Sequence, residues 1–375
     1  MSAVRQALVI GTYTERQEPP DERPSGILAA SYDGTSVAGL TAVAELPNPS
    51  WVTATADGSY LYAVAETTDF AGRPGGGVAA YARDPATGAV TLLNAVSSGG
   101  EAPAHLELDP SERFVIVANY SSGSVSVFAR ETGGRLGAMT GHVQHQGSSV
   151  HPVRQEGPHP HQICFDPVTG DLLVPDLGID AVFGYRLGED GILSELRAAR
   201  ITASPGAGPR HLAFHPGGQH LFVVNELDST LVVWRRDGDG FTRTDTISTV
   251  PDGFAGLNQV SAVRVSASGR SVLAANRGHN SIAVFAFDQA TGKLAPTLVA
   301  PSGGRQPRDF VITPDGAHLL VGNQRSDAVT LLDFDEERPR LRFVSATRVP
   351  APACLRFLPP PASQPRPASR PQEAA

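Results

Sequence analysis

The hydrophobic residues of the chain occur in short runs that turn-forming residues separate. Residues 208–226 show the pattern, because two apolar runs, 212–214 and 221–224, flank the sequence His-Pro-Gly-Gly. Two apolar runs around a Pro/Gly-rich turn predict a β-hairpin. Neighbouring strands lie about 5 Å apart, so Arg210 and Glu226 are expected to face each other at the open end of this hairpin.

The same hairpin pattern recurs six times along the chain. Each unit opens on a proline, or on a valine in one case, and closes at the same distance along the chain every time. The opening and closing residues are Pro49–Ala65, Pro103–Asn119, Pro160–Asp176, Pro209–Asn225, Val260–Asn276 and Pro307–Asn323. We refer to these units as blades 1 to 6, in that order.

A third β-like run follows the closing residue, and a fourth run such as 90–93 follows in most units. The third runs of blades 2 to 6 are 124–128, 181–185, 230–234, 281–285 and 328–332. Four short strands in a repeat of about 50 residues are typical of a β-propeller blade. Sustained apolar periodicity of 3.6 residues is absent from the sequence, so no long helix is expected.

The two ends of the chain supply a seventh blade. Residues 352–358 resemble a first strand, 7–12 a second strand and 26–32 a third strand. The predicted fold is therefore an all-β, seven-bladed β-propeller of four-stranded antiparallel blades, and strands from both termini close the ring and remove its open edge. Residues 1–358 are predicted to form this single domain, and the Pro/Ser/Ala-rich residues 359–375 are predicted to be a disordered tail.

Composition and charge exclude several classes of function. The net charge of −8, without a basic face, argues against a nucleic-acid partner. The N-terminus lacks the apolar core of a signal peptide, and no apolar stretch is long enough to span a membrane, so a cytoplasmic protein without a membrane partner is expected. Cys164 and Cys354 each lie in an apolar run and are expected to be buried free thiols.

Histidines gather in and after a long insertion, residues 141–157, between blades 2 and 3. Long loops without structure of their own are usually functional or disordered. The histidines are His142, His145, His151, His159 and His161. Their spacing matches no standard zinc motif, and the chain contains neither a GxSxG elbow nor a phosphate-binding P-loop. We therefore expect neither a metal nor another cofactor.

Two positions of the repeat place side chains at one mouth of the central channel. The first follows the opening residue of each unit, and the second follows the closing residue. The first position holds Ser50, Ala104, His161, Arg210, Ser261 and Arg308, and the second holds Glu66, Tyr120, Leu177, Glu226, Arg277 and Gln324. Several of these residues are charged and one is a histidine, although any polar residue at these two positions would be compatible with the fold.

Each of these residues also has a structural interpretation. Arg210 and Glu226 could form only a cross-strand ion pair, Arg277 could be a solvated turn residue, and His161 could hold the loop. Arg308 could serve a structural pairing next to Asp309. His105 and His211 share one position of the repeat and are equally consistent with a structural role.

Four segments give the chain a resemblance to a known family. The segments are GTYT (11–14), RQEGPHPHQ (154–162), the GPRH…VNE hairpin (208–226) and ANRGHNSIAVF (275–285). They are similar to the seven-bladed lactonase family, which includes the propeller-type 6-phosphogluconolactonases and the fungal carboxy-cis,cis-muconate cyclases. The site proposed for the cyclase branch is a histidine, two arginines and a glutamate, and by motif these fall on His161, Arg210, Glu226 and Arg277.

The resemblance implies hydrolysis of a sugar lactone such as 6-phospho-D-glucono-1,5-lactone. Such a reaction needs a base and positive charge at the developing oxyanion. Either Glu226 or His161 could be the base, since the arginines would lower the pKa of the glutamate, and either Arg210 or Arg277 could stabilise the oxyanion. The candidate substrate-binding residues are Glu66, His105, Arg154, His159 and Arg308.

Two other functions remain open on the sequence. A muconate-type lactonising cyclase could use the same groups to protonate a carbon and bind carboxylates. A non-catalytic propeller could instead bind a partner on one face, since this fold hosts many functions.

Overall fold

The computed structural model describes residues 5–15 and 26–359. The described residues form seven four-stranded antiparallel sheets, one of which carries a fifth short strand, together with a two-stranded hairpin. The predicted disordered tail lies outside the described residues except for Pro359.

Within the described residues, thirty-one strands and three short 3₁₀-helices make up these sheets and their connections. The strands of the first half are β1 (Gln6–Thr12), β2 (Ile27–Tyr32), β3 (Val37–Ala44), β4 (Val52–Ala54), β5 (Tyr60–Ala65), β6 (Asp69–Phe70), β7 (Arg73–Pro74), β8 (Gly77–Arg83), β9 (Val90–Ser97), β10 (Pro103–Leu108), β11 (Phe114–Asn119), β12 (Ser124–Arg130), β13 (Leu136–Gln144), β14 (Cys164–Phe165), β15 (Leu172–Asp176), β16 (Ala181–Leu187), β17 (Leu193–Glu195) and β18 (Ile201–Thr202). The strands of the second half are β19 (Pro209–Phe214), β20 (His220–Asn225), β21 (Thr230–Asp237), β22 (Gly240–Ser248), β23 (Gln259–Val265), β24 (Ser271–Arg277), β25 (Ser281–Asp288), β26 (Lys293–Pro301), β27 (Pro307–Ile312), β28 (His318–Asn323), β29 (Ala328–Asp335), β30 (Arg340–Arg348) and β31 (Pro352–Phe357). The 3₁₀-helices are Leu177–Ile179, Arg197–Ala199 and Gln324–Ser326.

The predicted seven-bladed β-propeller is confirmed. Blade 4 has the order β19-β20-β21-β22, and the other blades repeat this meander. Blade 7 has the order β31-β1-β2-β3, so its innermost strand comes from the C-terminal part of the chain and the other three come from the N-terminal part. The ring is thereby closed by hydrogen bonds between β1 and β31.

A β-bulge at the start of the innermost strand sets the direction of the first channel-mouth position. Pro209 pairs with Asn225 and His211 pairs with Val224, so Arg210 is the extra residue on its strand. Bulges re-aim side chains near functional sites. Ala104, Arg308 and Ala353 are the extra residues at the same place in their blades. The opening residue of a unit therefore pairs with its closing residue, and the constant distance between them along the chain includes one unpaired residue.

The buried closing asparagine has a structural role. Asn276 donates from Nδ2 to the carbonyl oxygen of Thr249 at 2.7 Å and to Ser281 Oγ at 3.2 Å, and Asn323 bonds to the carbonyl oxygen of Ser302 at 3.2 Å in the same way. The bonds to Thr249 and Ser302 tie the hairpins of blades 5 and 6 to the segments that enter them from the preceding blades. A carboxamide suits the position because it satisfies buried donors and acceptors together.

Blade 3 departs from the pattern of its neighbours. Asp176 replaces the asparagine, and its carboxylate contacts Nδ1 of His145 at 2.6 Å. This histidine stands where the connections before blades 2, 5 and 6 have Ser98, Thr249 and Ser302. The insertion predicted for residues 141–157 begins later than expected, since β13 extends to Gln144. Cys164 is partly exposed, contrary to the prediction, whereas Cys354 is buried as expected.

The core lies between neighbouring sheets. Phe222 and Val224 of blade 4 pack against Val263 and Val272 of blade 5, and similar clusters join the other blades. Successive side chains of a strand point to opposite faces of the sheet, and both faces carry apolar side chains because each blade packs between two neighbouring blades. No helix among the described residues has the length and apolar character needed to cross a membrane.

Candidate active site at the channel mouth

Glu226 is the centre of a buried cluster of charges. Its Oε2 lies 2.5 Å from Nη2 of Arg277 and 2.9 Å from Nε of Arg210, the latter as an ion pair without an aligned hydrogen bond. Its Oε1 accepts from Nη2 of Arg154 at 2.6 Å and from Nε2 of Gln259 at 3.3 Å. The carboxylate is 3% exposed, and protein donors lie next to both of its oxygens.

The bulge and the paired strands explain why Arg210 meets Glu226. Arg210 is the bulge residue of β19, and Glu226 follows the last residue of β20. The backbone N–H of Glu226 donates to the carbonyl oxygen of Gly208, which closes the open end of the hairpin. Arg210 also donates from Nη1 to the carbonyl oxygen of Ser261 in blade 5, which fixes its guanidinium across the blade boundary.

A second, more exposed group lies at the same mouth. The hydroxyl of Tyr13 donates to Oε2 of Glu66 at 2.7 Å, and the guanidinium of Arg308 lies 4.8 Å from the centre of the Tyr13 ring. Nη2 of Arg308 is 3.8 Å from Oε2 of Glu66. The side chains of Arg308 and Glu66 are 17% and 19% exposed, so this group is accessible to a ligand.

The charges at the mouth do not cancel. In the two groups described above, Arg154, Arg210, Arg277 and Arg308 contribute four positive charges, while Glu66 and Glu226 contribute two negative charges, which leaves +2 for these six side chains. Glu156, 3.9 Å from His159, is a further acid that is 60% exposed. Arg154 is 29% exposed and Arg210 is 2% exposed. The excess positive charge therefore lies on the more accessible arginines and favours an anionic ligand.

Arg154 comes from the long loop that precedes blade 3. The loop is held at Asp180, whose carboxylate accepts from Ser149 Oγ at 2.5 Å and from Nε2 of Gln155 at 2.8 Å. The same carboxylate accepts from the backbone N–H groups of Gly206 and Gly208 at 2.7 Å. One buried carboxylate thus ties the loop to the segment that enters blade 4, and places Arg154 over Glu226 and the hydroxyl of Tyr120.

His161 lies beside the arginines and above a column of aromatic rings. Its ring centre is 5.5 Å from that of Tyr120 and 5.3 Å from that of His211. His211 in turn lies 6.0 Å from His105, which stacks on Trp51 at 4.0 Å. The Nδ1 atom of His161 is buried and has no hydrogen-bond partner among the described residues.

Burial and charge shift the pKa values of the two candidate bases in different ways. Burial opposes the charged form of Glu226, but Arg277, Arg210 and Arg154 together lower the pKa of its carboxyl to about 2. Burial lowers the pKa of His161 well below its ordinary value of 6.5, and Arg210, Arg308 and Arg277 lower it further. At neutral pH Glu226 is an anion surrounded by cations, and His161 is a neutral imidazole.

The other predicted substrate-binding residues are distributed between two depths. His159 stacks on Tyr120 at 4.5 Å and donates from Nδ1 to the Tyr120 carbonyl oxygen at 2.9 Å, so it lies close to Arg154. His105 lies one layer deeper in the channel, is 1% exposed, and accepts from the N–H of Ile163 at 3.3 Å. The structure therefore brings Glu66, Arg154, His159 and Arg308 to the mouth but does not bring His105 there.

Three residues of the mouth were not among the predicted site residues. Tyr120 occupies the second position of its unit and contacts Arg154, so the repeat contained the signal for it. Tyr13 lies in the segment after β1, and the side chain of Asn48 accepts a hydrogen bond from the backbone N–H of the neighbouring Thr14. The repeat pattern of the sequence does not indicate this contact. Gln259 precedes the opening valine of blade 5 and has no counterpart in the prediction.

The described part of the chain contains no group of three or more His, Cys, Asp or Glu side chains placed to hold a metal ion. The predicted histidine group is separated in space. His145 is fully buried against Asp176 and Tyr185. His142 lies on the fourth strand of blade 2 and bonds to Ser126 on the third strand of the same blade.

Comparison with known proteins identifies a family and relatives with described activities. Residues 7–357 match the family model described as Lactonase, 7-bladed beta-propeller. A 6-phosphogluconolactonase of Bacillus subtilis strain 168 is 37% identical over 318 residues, which are 84% of this chain and 88% of the relative. A 6-phosphogluconolactonase of Formosa agariphila is 30% identical over 81% of this chain and 86% of the relative.

A solved structure extends the similarity to the whole ring. The periplasmic gluconolactonase of Pseudomonas aeruginosa superposes with a TM-score of 0.87 and 32% identity, over 96% of this chain and 100% of that chain. The resemblance in sequence and the resemblance in structure therefore cover the same seven blades.

Proposed function

Because the chain belongs to the seven-bladed β-propeller lactonase family, we propose that it hydrolyses a sugar lactone, with 6-phospho-D-glucono-1,5-lactone as substrate and 6-phosphogluconate as product. This reaction would place the protein in the pentose phosphate pathway. The observation that carries the proposal is the charge of +2 at the channel mouth beside a neutral histidine. A phosphate monoester carries close to two negative charges at neutral pH and matches bidentate arginine contacts.

The two accessible arginines are assigned to the phosphate. Arg308 and Arg154 are 17% and 29% exposed, and neither is confined to a single buried partner. Tyr13 and Tyr120 support their guanidinium groups by ring and hydroxyl contacts. A ligand that spans the mouth would therefore be held at its charged end by residues from the loop and from blade 6.

Arg277 is assigned to the developing oxyanion. It is 8% exposed, against 2% for Arg210, and its Nε has no hydrogen-bond partner among residues 5–15 and 26–359. Arg210 has its Nη1 committed to Ser261 and its Nε beside Glu226. Arg210 therefore serves to hold Glu226, and Arg277 retains donors that can meet negative charge as it forms.

His161 is assigned as the base that activates water. Glu226 is a weak proton acceptor because its pKa is about 2 and its oxygens already face donors from four side chains. The imidazole of His161 is neutral, and its buried Nδ1 has no hydrogen-bond partner among the described residues. The imidazole would take a proton from water as the water oxygen attacks the lactone carbonyl carbon. The imidazolium would then give that proton to the lactone ring oxygen as its bond to the carbonyl carbon breaks, which releases the open hydroxy acid.

The test is hydrolysis of 6-phosphogluconolactone and of unphosphorylated glucono-1,5-lactone by wild type, His161→Asn and Arg277→Met. Each variant is expected to lose about 100- to 1,000-fold in kcat. Arg340→Met, at an exposed pair on the outer strand of blade 6, is the control that should retain full activity. Full activity in both site variants would remove this mouth from consideration.

A dicarboxylate would also meet the charge of +2, so a lactonising cyclase is the second candidate. Incubation with a carboxylated cis,cis-muconate distinguishes the two, since the cyclase would form a lactone that the hydrolase would not. A phosphorylated sugar substrate also implies a cytoplasmic location, which fractionation of the source cells would test against the periplasmic location named for the Pseudomonas relative.

A further inference from the structure

The geometry points to a second binding site at the opposite mouth of the channel, for a small carboxylate with an apolar body. A cavity of about 640 Å³ opens there, which is the size range of pockets for small organic ligands. The innermost strands begin at the Glu226 cluster and end at this cavity, because it is lined by the last residues of β10, β14, β27 and β31. This site is separate from the proposed lactonase site and does not depend on it.

The wall of the cavity is mostly apolar. Side chains from five blades supply this surface, namely Leu108, Phe165, Val265, Val311, Leu355 and Phe357. A phosphorylated sugar, with a hydroxyl on almost every carbon, would leave most of its polar groups unpaired against such a wall. The ligand of this cavity therefore has an aliphatic or aromatic body.

Two arginines provide the positive charge of the lining, whose other polar side chains include His105, Glu107 and Gln162. Arg356 is 35% exposed and Arg264 is 25% exposed, and both line the cavity. Arg356 contacts Glu107 through Nη1 at 3.1 Å, and Arg264 contacts Asp309 through Nη2 at 2.6 Å. A guanidinium has five N–H donors, so within the described part of the chain each arginine keeps donors that these contacts do not use.

Glu107 also lines the cavity and is 23% exposed, but protein donors contact both of its oxygens. Glu107 accepts at Oε1 from the hydroxyl of Thr53 at 2.6 Å and from the N–H of Leu108 at 3.1 Å, in addition to Arg356 at Oε2. Asp309 is 1% exposed and accepts from the N–H of Leu355 at 3.0 Å. The cavity thus offers hydrogen-bond donors on an apolar wall, which suits a carboxylate group.

Trp51 makes the site measurable. It lines the cavity, and the chain has only one other tryptophan, Trp234, which lies on the third strand of blade 4. In a Trp234→Phe background the fluorescence of the protein reports Trp51 alone. The probe is cyclohexanecarboxylate, and its neutral counterpart is cyclohexylmethanol, since neither absorbs where tryptophan is excited.

We expect a saturable change in Trp51 fluorescence with cyclohexanecarboxylate and binding at least about tenfold weaker with cyclohexylmethanol, the cost of losing a charged contact. Val311→Phe in the same background should abolish the change by filling the cavity. Val344→Phe, at an exposed position of β30, is the matched control and should leave it intact. Circular dichroism of each variant establishes that it is folded.

The proposal is overturned if neither compound gives a saturable change, if the alcohol binds as well as the acid, or if folded Val311→Phe binds normally. The comparison of acid with alcohol needs no variant in the cavity, so the test stands even where Val311→Phe does not fold. Because the readout is binding, a failed lactonase assay would leave this result unaffected.

Discussion

A carboxylate that several guanidinium groups surround is a poor proton acceptor, and Glu226 is such a group. Removing one member of a buried charge cluster leaves the others unpaired, which costs more than the cluster contributes. Glu226 therefore acts first as the anchor that allows Arg154, Arg210 and Arg277 to gather at one point. His161 forms no ion pair within the described part of the chain, and we assign it the proton transfer.

The pH dependence of the reaction separates the two candidate bases. A base works in its deprotonated form, so activity is present above its pKa and is lost as pH falls through it. With His161 as the base, kcat/KM should be constant near pH 7 and fall at a midpoint below 6.5. With Glu226 as the base, activity would persist until pH approaches about 2.

The measurement is kcat/KM between pH 8 and pH 4, with circular dichroism at each pH to establish that the protein is folded. Loss of activity in the folded protein within this range supports His161. A flat profile down to pH 4 would place the pKa of the base below 4, and the folded His161→Asn variant would then decide between the two residues, since retained activity in that variant would contradict the assignment of His161.

At the scale of elements, the loop before blade 3 is as important as the blades. The repeat predicts where Arg210, Glu226 and Arg277 lie, but Arg154 arrives from outside the repeat. Gln155 explains how, since its side chain bonds to Asp180 at 2.8 Å and to the carbonyl oxygen of Leu177 at 2.9 Å and is fully buried. The neighbouring Arg154 is therefore held in place by a residue that never approaches a substrate.

Arg154→Met should raise KM for 6-phosphogluconolactone about tenfold, the effect of one charged contact, with a smaller effect on unphosphorylated glucono-1,5-lactone. Gln155→Ala should act in the same direction by releasing the loop. Because both changes act through one contact, the double variant should lose less than the product of the single effects.

Steady-state kinetics on both lactones provides the measurement, with Arg186→Met, at a largely exposed pair, as the control. Equal losses on the two lactones would show that Arg154 does not act on the phosphate. Fully multiplicative losses would show that Gln155 does not act through Arg154.

The sequence predicted the blades because a paired register has a fixed chain length, and the same spacing between opening and closing residues recurs in six units. It did not indicate that Arg210 and Arg308 sit in bulges, since each extra residue precedes the apolar run of its strand and leaves that run unchanged. The bulge also sends the next residue into the channel, so His105 faces the interior of the channel and not the mouth. Tyr13 was missed because its position depends on a contact with Glu66, which belongs to a different blade and is distant along the chain.

At the scale of the whole molecule, stability depends on the seam where the two ends of the chain meet. Val9 packs with Leu61 and Ala63 of blade 1, while Leu8 and Ile10 pack with Leu320 of blade 6. One strand thus connects the cores on both sides of blade 7. Gly11 in that strand lies against the carbonyl oxygen of Pro49 and the sulfur of Cys354.

Gly11→Ala should destabilise the protein by about 3 kcal/mol, because an added methyl group would collide with backbone that cannot move without opening the seam. Urea denaturation followed by circular dichroism measures the change. Gly157→Ala is the matched control, since a methyl group there meets nothing within 4 Å. Equal stability of the two variants would mean that the seam yields to the extra atom at little cost.

The residues at the first channel-mouth position differ in size around the ring. Three consecutive blades, 7, 1 and 2, carry the small residues Ala353, Ser50 and Ala104 at this position, whereas blades 3, 4 and 6 carry His161, Arg210 and Arg308. The backbone repeats seven times, but the electric field at the mouth does not share that symmetry. Most of the positive charge lies on the side of the rim with Arg210, Arg277 and Arg308, so the field points across the channel axis towards Glu66 of blade 1.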